Sequence, residues 1–274
     1  MQRVFSLTNK YIILATVLIL YSLISNVYAA FFAVNGASKP LVLIFAIILL
    51  LLMSAVFMAG WFKMVKTAVL EPDRDDTNSL IKIFPEGVGE YILPIFGLLL
   101  VLCLLWGVIG TAVYYYGTHY IGNPNVDFAK FAKISGDAVA AKAFLTALSA
   151  EQLSKLIRWN HLFILAVVCS YFLTFLYLPA LFFKTPNPFI AFFISLKNLF
   201  SKKIIKTFGV FLVIFFANLI ISVLSVMFSG NALLEFIFTL GAFYILTASA
   251  VGLFTYYNDN FTDSHLGRNI DIKI

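Results

Sequence analysis

Charged residues in this chain leave six uncharged runs, each long enough to cross a membrane. The runs have 23 residues or more and cover 11–38, 40–62, 91–126, 159–183, 207–234 and 236–258. A hydrocarbon core about 30 Å thick requires roughly 20 apolar residues in a helix. The next longest uncharged run, 185–196, has only 12 residues. The chain is therefore predicted to cross a membrane six times.

The composition and pattern of these runs indicate helices rather than strands. Only 12% of the residues are charged, against about 25% in soluble globular proteins. Residues 41–52 are apolar on every side and lack the alternation of a spanning strand, so only a helix satisfies their backbone in lipid. The predicted fold class is all-α, with 1–274 as a single integral membrane domain. The predicted spans lie near 11–32, 41–62, 91–114, 162–183, 208–228 and 233–257.

The distribution of Lys and Arg predicts the orientation, because cationic connections stay on the cytoplasmic side. With the amino terminus inside, the cytoplasmic segments hold thirteen of the nineteen basic residues. Lys155 and Arg158, close to the fourth span on the outer side, count against this orientation. Both termini are nevertheless predicted to be cytoplasmic. As an alternative, the amino-terminal segment is a secretory signal cleaved near Val27–Ala29, which leaves five spans in the same orientation.

The fourth connection, residues 184–206, carries five lysines and no acidic residue. On a helix, Ser195, Asn198 and Lys202 lie on one side, with Lys197 at the margin. The apolar face opposite them consists of Phe189, Phe192, Phe193, Leu196, Leu199 and Phe200. The segment is too short to span and too apolar to be solvated, so it is predicted to be a cytoplasmic interfacial helix. The lysines are either topology signals or ligands of anionic lipid head groups. The predicted head-group residues are Lys197, Lys202, Lys203 and Lys206.

The third connection is predicted to be an external helical loop. Ser149 and Gln152 fit the capping-box pattern at the start of one helix, and the alanine-rich stretch 137–148 predicts another. The loop either forms a lid over an external cavity or covers the outer end of the helices, and the second interpretation is favoured.

The second connection is acidic, but it does not fit a metal-binding loop. Asp73, Asp75 and Asp76 are followed by neither the glycine nor the closing glutamate of a calcium loop. We therefore predict a solvated turn, in which Asp76, Thr77 or Asn78 caps a short helix.

Polar residues inside the spans are few. Glu235 is the one ionisable residue within a predicted span, whereas Asn26 and Asn218 each belong to a polar stripe with nearby serines. Such residues either hydrogen-bond between helices or line a transport pathway. Glu235, Asn26 and Asn218 are therefore the candidate intramembrane polar site.

The sequence predicts no catalytic, cofactor or metal site. No nucleotide-binding, zinc-protease or nucleophile-elbow motif is present, and Cys103 and Cys169 lie inside predicted spans, where packing roles are expected. The net charge of +6 is divided among several connections, which is typical of membrane orientation rather than nucleic-acid binding.

Two stretches carry a resemblance to known proteins. The first is 60–72, Gly-Trp-Phe-Lys-Met-Val-Lys-Thr-Ala-Val-Leu-Glu-Pro, followed by Phe84-Pro85-Glu86-Gly87; the second is Leu178-Pro179-Ala180-Leu181 with 191–200. They resemble the YciC-like bacterial six-span membrane proteins and the membrane domain that precedes some glycerophosphodiester phosphodiesterases. The resemblance implies the six-span fold and a bacterial cytoplasmic membrane. It carries no catalytic residue over to this chain.

These patterns favour a non-enzymatic accessory, scaffold or membrane-organising protein that contacts membrane lipids, which are expected to be anionic. Its protein partner would be a second copy of the chain or another membrane protein. The alternative is a small transporter or permease component, which predicts a polar cavity near the midplane lined by Asn26, Asn218 or Glu235. An intramembrane enzyme would need clustered acids or histidines, which the sequence does not contain.

Overall fold

The computed structural model describes residues 2–35, 40–74, 78–134, 137–228 and 230–262. Within these ranges every regular element is a helix, which confirms the all-α fold class. The α-helices are α1 Gln2–Lys10, α2 Ile13–Asn35, α3 Pro40–Leu70, α4 Asn78–Tyr116, α5 Phe128–Ile134, α6 Ala138–Thr146, α7 Ala150–Thr174, α8 Tyr177–Phe183, α9 Pro188–Leu199, α10 Ile204–Met227 and α11 Ala232–Phe261. A π-helical turn, Gly117–Ile121, follows α4.

Six of the helical segments are long and apolar enough to cross a membrane, as the sequence predicts. They are Ile13–Phe32, Leu41–Leu70, Ser79–Ile121, Ala150–Phe183, Ile204–Met227 and Ala232–Phe261. Many of their large apolar side chains face outward, including Val27, Leu41 and Leu104, each more than 65% exposed. Exposed apolar surface on this scale is expected where lipid is the solvent.

Two helices are longer than the predicted spans, because charged residues do not end them. Helix α3 continues through Lys63 and Lys66 to Leu70, and α4 is continuous from Asn78 through Pro85 and Pro94. The short helix predicted before the third span is therefore the first part of α4. Two of its predicted caps, Asp76 and Thr77, lie outside the described residues.

The fourth span is interrupted near the end that is predicted to be cytoplasmic. Helix α7 ends at Thr174 and α8 begins at Tyr177, with a turn at residues 175–176. Pro179 explains the break, since its ring clashes with the carbonyl of Phe175 four residues earlier and provides no N–H to bond it.

The chain divides into two compact units, one formed by residues up to Val101 together with those from Thr174 onward, the other by Leu102–Leu173. In the first unit, α11 contacts α1, α2, α3, α8 and α10. Its buried Phe254 lies between the rings of Phe62, Phe182 and Phe183, at centroid distances of 5.6–5.9 Å. The core of this unit therefore lies where α3, α8 and α11 meet. That 1–274 forms one membrane domain stays a prediction.

The second unit contains the loop predicted to be external. Asp137 caps α6 by accepting from the amides of Val139 and Ala140. Ser149 and Gln152 form the predicted capping box: the Gln152 amide donates to Ser149 Oγ at 3.2 Å, and the Ser149 amide donates to Gln152 Oε1 at 3.0 Å. Both helices predicted in this connection are confirmed.

Candidate functional site

Helix α9 is the predicted interfacial helix, and its sequence defines its start. Asn187 accepts from the amides of Phe189 and Ile190, and Pro188 occupies the first turn, where no intrahelical N–H is needed. The helix buries Ala191, Ser195 and Leu199, four residues apart, and it contacts α8 and α10. The helix is thus confirmed, and its 12 residues are too few to span.

The packed face of α9 differs from the predicted one. Ser195, expected on the polar face away from the apolar side chains, is fully buried, and its hydroxyl donates to the carbonyl of Phe192 at 2.7 Å. Asn198 also turns inward and donates to Tyr257 Oη at 3.0 Å. Small and hydrogen-bonded side chains therefore form the packed face, because they let neighbouring helices approach closely.

The opposite side of α9, which we call the outer face, consists of Phe189, Ile190, Phe193, Lys197 and Phe200. The phenyl rings of Phe189, Phe193 and Phe200 are 60%, 69% and 62% exposed. Lys197 is exposed among them, and Lys202 is exposed in the turn that follows. An exposed aromatic surface beside lysines is typical of a helix at the membrane–water interface.

The four predicted head-group lysines fall into two pairs. Lys203 Nζ donates to the carbonyl of Asn260 at 2.6 Å, and Lys206 Nζ donates to Asn260 Oδ1 at 3.0 Å. These contacts join the start of α10 to the end of α11, where the exposed carbonyls of a helix end favour a nearby cation. Lys197 and Lys202 have no hydrogen-bond or ion-pair partner in the described part of the chain.

The candidate intramembrane polar residues are not brought together. Asn218 on α10 donates to Ser249 Oγ on α11 at 2.9 Å, whereas Asn26 donates to Ser22 on its own helix. Glu235 is exposed in the first turn of α11. It lies 14 residues before Ser249, about 21 Å along the helix axis.

A cavity in the first unit was not predicted from the sequence. It has a volume of about 460 Å³ and lies between the end of α3 and the start of α4. We call it the α3–α4 cavity. Its lining residues are Lys63, Lys66, Thr67, Leu70, Glu71, Arg74, Ser79, Lys82, Ile83 and Glu86. The lining residues on α3, and likewise those on α4, recur at a helical spacing of three or four residues. This spacing could have been found in the sequence if the two predicted helices had been extended to the turn.

The turn beside this cavity is held by the amino-terminal segment. Tyr11 is fully buried, and its hydroxyl lies 2.9 Å from the carbonyl oxygen of Glu71 and 3.2 Å from that of Arg74. Lys10 Nζ donates to the carbonyl of Pro72 at 2.8 Å. Burial raises the pKa of the Tyr11 phenol, which lies just before the first spanning helix, Ile13–Phe32. These contacts satisfy carbonyls of the turn that follows α3.

Lys66 reaches across the first unit to α8. Its Nζ donates to the carbonyl of Phe182 at 2.6 Å and to Tyr91 Oη at 3.2 Å. Nearby, Lys63 pairs with Glu90 at 2.5 Å. Arg74 pairs with Glu71 at 2.9 Å and donates through Nε to Ser79 Oγ. The cations at the cavity are thus oriented by α4, α8 and the turn.

A second cavity, of about 430 Å³, lies in the second unit and has no charged residue in its lining. Trp159 closes one side, donating through Nε1 to the carbonyl of Gly122 at 3.0 Å. The Trp159 ring packs against Gly117, where a Cβ would overlap it at 2.2 Å. The lining residues are Tyr114, Thr118, Asn123, Pro124, Phe128, Leu156, Trp159, Asn160 and Phe163.

Metal ligands are not clustered in the described residues, where no group of three His, Cys, Asp or Glu side chains could hold an ion. Asp75 and Asp76 of the acidic turn lie outside the described residues. Cys103 and Cys169 are both exposed and unbridged.

In the part of the chain that the structure describes, six helices are long and apolar enough to span, as in a multi-pass integral membrane protein. No family model matches the chain, and no match was found among the curated proteins or the solved structures. The resemblance to the YciC-like proteins therefore stays a prediction.

Proposed function

We propose that this protein is a non-enzymatic membrane-organising or accessory protein of a bacterial cytoplasmic membrane, which holds anionic lipid at the outer face of α9. The observation that carries the proposal is the exposure of Phe189, Phe193 and Phe200 beside Lys197 and Lys202. Phenyl rings favour the level of the head groups, and each lysine near an anionic surface contributes about 1 kcal/mol. The exposed phenylalanines and lysines of α9 together are therefore suited to contact with an anionic leaflet.

The competing interpretation treats the lysines only as topology signals. It accounts for positive charge on one side of the membrane but not for three exposed phenyl rings on a helix that cannot span. Because Lys203 and Lys206 contact Asn260, we assign the two pairs of lysines different roles. Lys203 and Lys206 fix the start of α10, while Lys197 and Lys202 contact lipid.

The transporter alternative finds less support. It predicts a midplane cavity lined by Asn26, Asn218 or Glu235, and neither the α3–α4 cavity nor the cavity beside Trp159 is lined by any of them. The side-chain amide of Asn218 instead donates to Ser249 on α11. A protein partner, either a second copy or another membrane protein, remains part of the proposed accessory role.

Lipid retention by the purified protein tests the proposal. In the double variant Lys197→Gln/Lys202→Gln, retention of phosphatidylglycerol, measured by native mass spectrometry against phosphatidylcholine, should fall roughly thirty-fold, since two lysines contribute about 2 kcal/mol. The remaining binding should weaken as salt is raised.

Two matched variants control for charge alone. Lys130→Gln/Lys142→Gln removes two exposed lysines from the second unit and should leave phosphatidylglycerol retention unchanged. Lys203→Gln/Lys206→Gln removes the contacts with Asn260 and should lower the midpoint of thermal unfolding. Its effect on phosphatidylglycerol retention should be smaller than that of Lys197→Gln/Lys202→Gln. If the Lys197/Lys202 variant retains anionic lipid normally and only its insertion orientation changes, the lysines are topology signals and the proposal fails.

A further inference from the structure

The α3–α4 cavity contains more positive charge than its own carboxylates balance. Among its lining residues, four are cationic and two, Glu71 and Glu86, are anionic. Glu71 is paired with Arg74, and Lys63 is paired with Glu90 outside the lining. In the described chain, Lys66 and Lys82 form no ion pair with a carboxylate. The single negative charge of Glu86 offsets only part of their two positive charges.

Lys66 provides the strongest indication that the cavity binds an anion. Its ammonium is half-buried and is hydrogen-bonded to two neutral oxygens, the Phe182 carbonyl and the Tyr91 hydroxyl. A lysine ammonium has three N–H donors, and an ammonium removed from water is costly unless an opposite charge accompanies it. The carboxylate of Glu90 acts on Lys66 but is already paired with Lys63. Because Lys66 lines the cavity, further negative charge and the third acceptor can come from a ligand there.

The other donors are suited to a tetrahedral oxyanion. Arg74 uses Nε and Nη1 in its contacts with Ser79 and Glu71, and its guanidinium has five N–H donors in all. A guanidinium matches phosphate geometry, whereas lysine supplies a point charge, and the cavity offers both. Thr67 adds a hydroxyl to the lining, and Lys82 is exposed at the rim.

The size of the cavity indicates more than a bare ion. Its volume of about 460 Å³ lies within the range of about 300–1,000 Å³ that is usual for small-molecule sites. Glu86 is a further acceptor in the lining, so the ligand should combine a phosphate with a hydroxyl or an amine.

We propose that the α3–α4 cavity binds the phosphoryl group of a hydroxyl- or amine-bearing phosphoester, with Lys66 and Arg74 as the phosphate ligands and Lys82 at the rim. The phosphoester is either a phospholipid head group or a free molecule. The site is independent of the outer face of α9 and shares no residue with it.

Isothermal titration calorimetry on the purified protein in neutral detergent tests this site. One arm uses sn-glycerol 3-phosphate and the other uses short-chain phosphatidylglycerol, with glycerol as the phosphate-free control. We expect at least one phosphorylated probe to bind and glycerol not to bind. Binding of glycerol 3-phosphate identifies a free phosphoester as sufficient, whereas binding of the lipid alone, weakened by Lys66→Gln, identifies a head group in the cavity.

Variants assign the binding to the cavity. Lys66→Gln should weaken binding of the probe about ten-fold or more, and Lys82→Gln, at an exposed position, should weaken it several-fold. Lys130→Gln, which removes an exposed lysine in the second unit, should not change it.

Failure of both probes to bind overturns the proposal. It is also overturned if Lys82→Gln and a folded Lys66→Gln bind the probe as the unsubstituted protein does. Binding of phosphatidylglycerol that is lost in Lys197→Gln/Lys202→Gln but kept in Lys66→Gln and Lys82→Gln would assign the phosphate to the outer face of α9, which contradicts this site but supports the proposed function.

Discussion

At the residue scale, the approach of α3 and α4 beside the cavity depends on Gly87. A Cβ at this position would lie 2.5 Å from Lys63 Cβ and 2.9 Å from the carbonyl oxygen of Ala59. Backbone and Cβ atoms cannot rotate away, so a methyl group can be accommodated only by separating the helices. Such close approaches through small residues are characteristic of packing between membrane helices.

Gly87→Ala should therefore destabilise the protein by about 1–3 kcal/mol, the usual cost of overpacking. The measurement is the midpoint of thermal unfolding in detergent. Gly89→Ala is the matched control, because it lies on the same helix and a Cβ there has no atom within 4 Å. Gly89→Ala should leave the midpoint unchanged or raise it slightly, as alanine favours helix. Equal behaviour of the two variants would show that the helices do not approach closely at Gly87.

At the element scale, the two polar stripes predicted in the spans have different structural roles. The stripe on α10 joins two helices, because Asn218 donates to Ser249 on α11. The stripe on α2 remains within its own helix, where Asn26 lies 3.4 Å from Ser22 and is exposed. Interhelical hydrogen bonds in membrane proteins contribute about 0.6 kcal/mol on average and up to about 1.7 kcal/mol.

Asn218→Ala should accordingly lower the free energy of unfolding by about 0.6–1.7 kcal/mol, measured by denaturant titration in mixed micelles. Asn26→Ala, which removes the same group from an exposed position, should change it by less than about 0.5 kcal/mol. A larger loss in Asn26→Ala than in Asn218→Ala would show that the α2 stripe, and not the α10 stripe, makes the important helix contact.

The helices themselves could be predicted from the sequence, whereas their ends could not. Uncharged runs located all six spans because lipid excludes charge over a fixed thickness. The same criterion stopped α3 before Lys63, although helical hydrogen bonding continues past a lysine that finds partners such as Glu90. The α3–α4 cavity was missed for this reason, since its walls are the two extensions.

The candidate site was predicted in part. The basic and aromatic composition of 189–206 sufficed to predict a non-spanning helix with lysines beside it. Which lysines contact protein depends on Asn260, 54 residues beyond Lys206 in the chain, and no local pattern indicates that contact. The burial of Ser195 likewise depends on the helices packed against α9.

At the scale of the whole molecule, both proposals place their ligands on the same side of the membrane. The outer face of α9 and the α3–α4 cavity belong to connections that the lysine and arginine distribution predicts to be cytoplasmic. The loop from α5 to α6 is predicted to be external. Both proposed sites therefore require the six-span orientation with both termini inside.

Side-specific cysteine labelling tests that orientation most directly. Asp73→Cys, Lys202→Cys and Asp127→Cys, each at an exposed position, would be introduced singly after replacing Cys103 and Cys169, which are also exposed. A membrane-impermeant maleimide should label the first two variants only in inside-out vesicles and Asp127→Cys only in right-side-out vesicles. Labelling of Asp127→Cys and Lys202→Cys from the same side would contradict the helix count, the orientation and the lipid-facing role of α9 together.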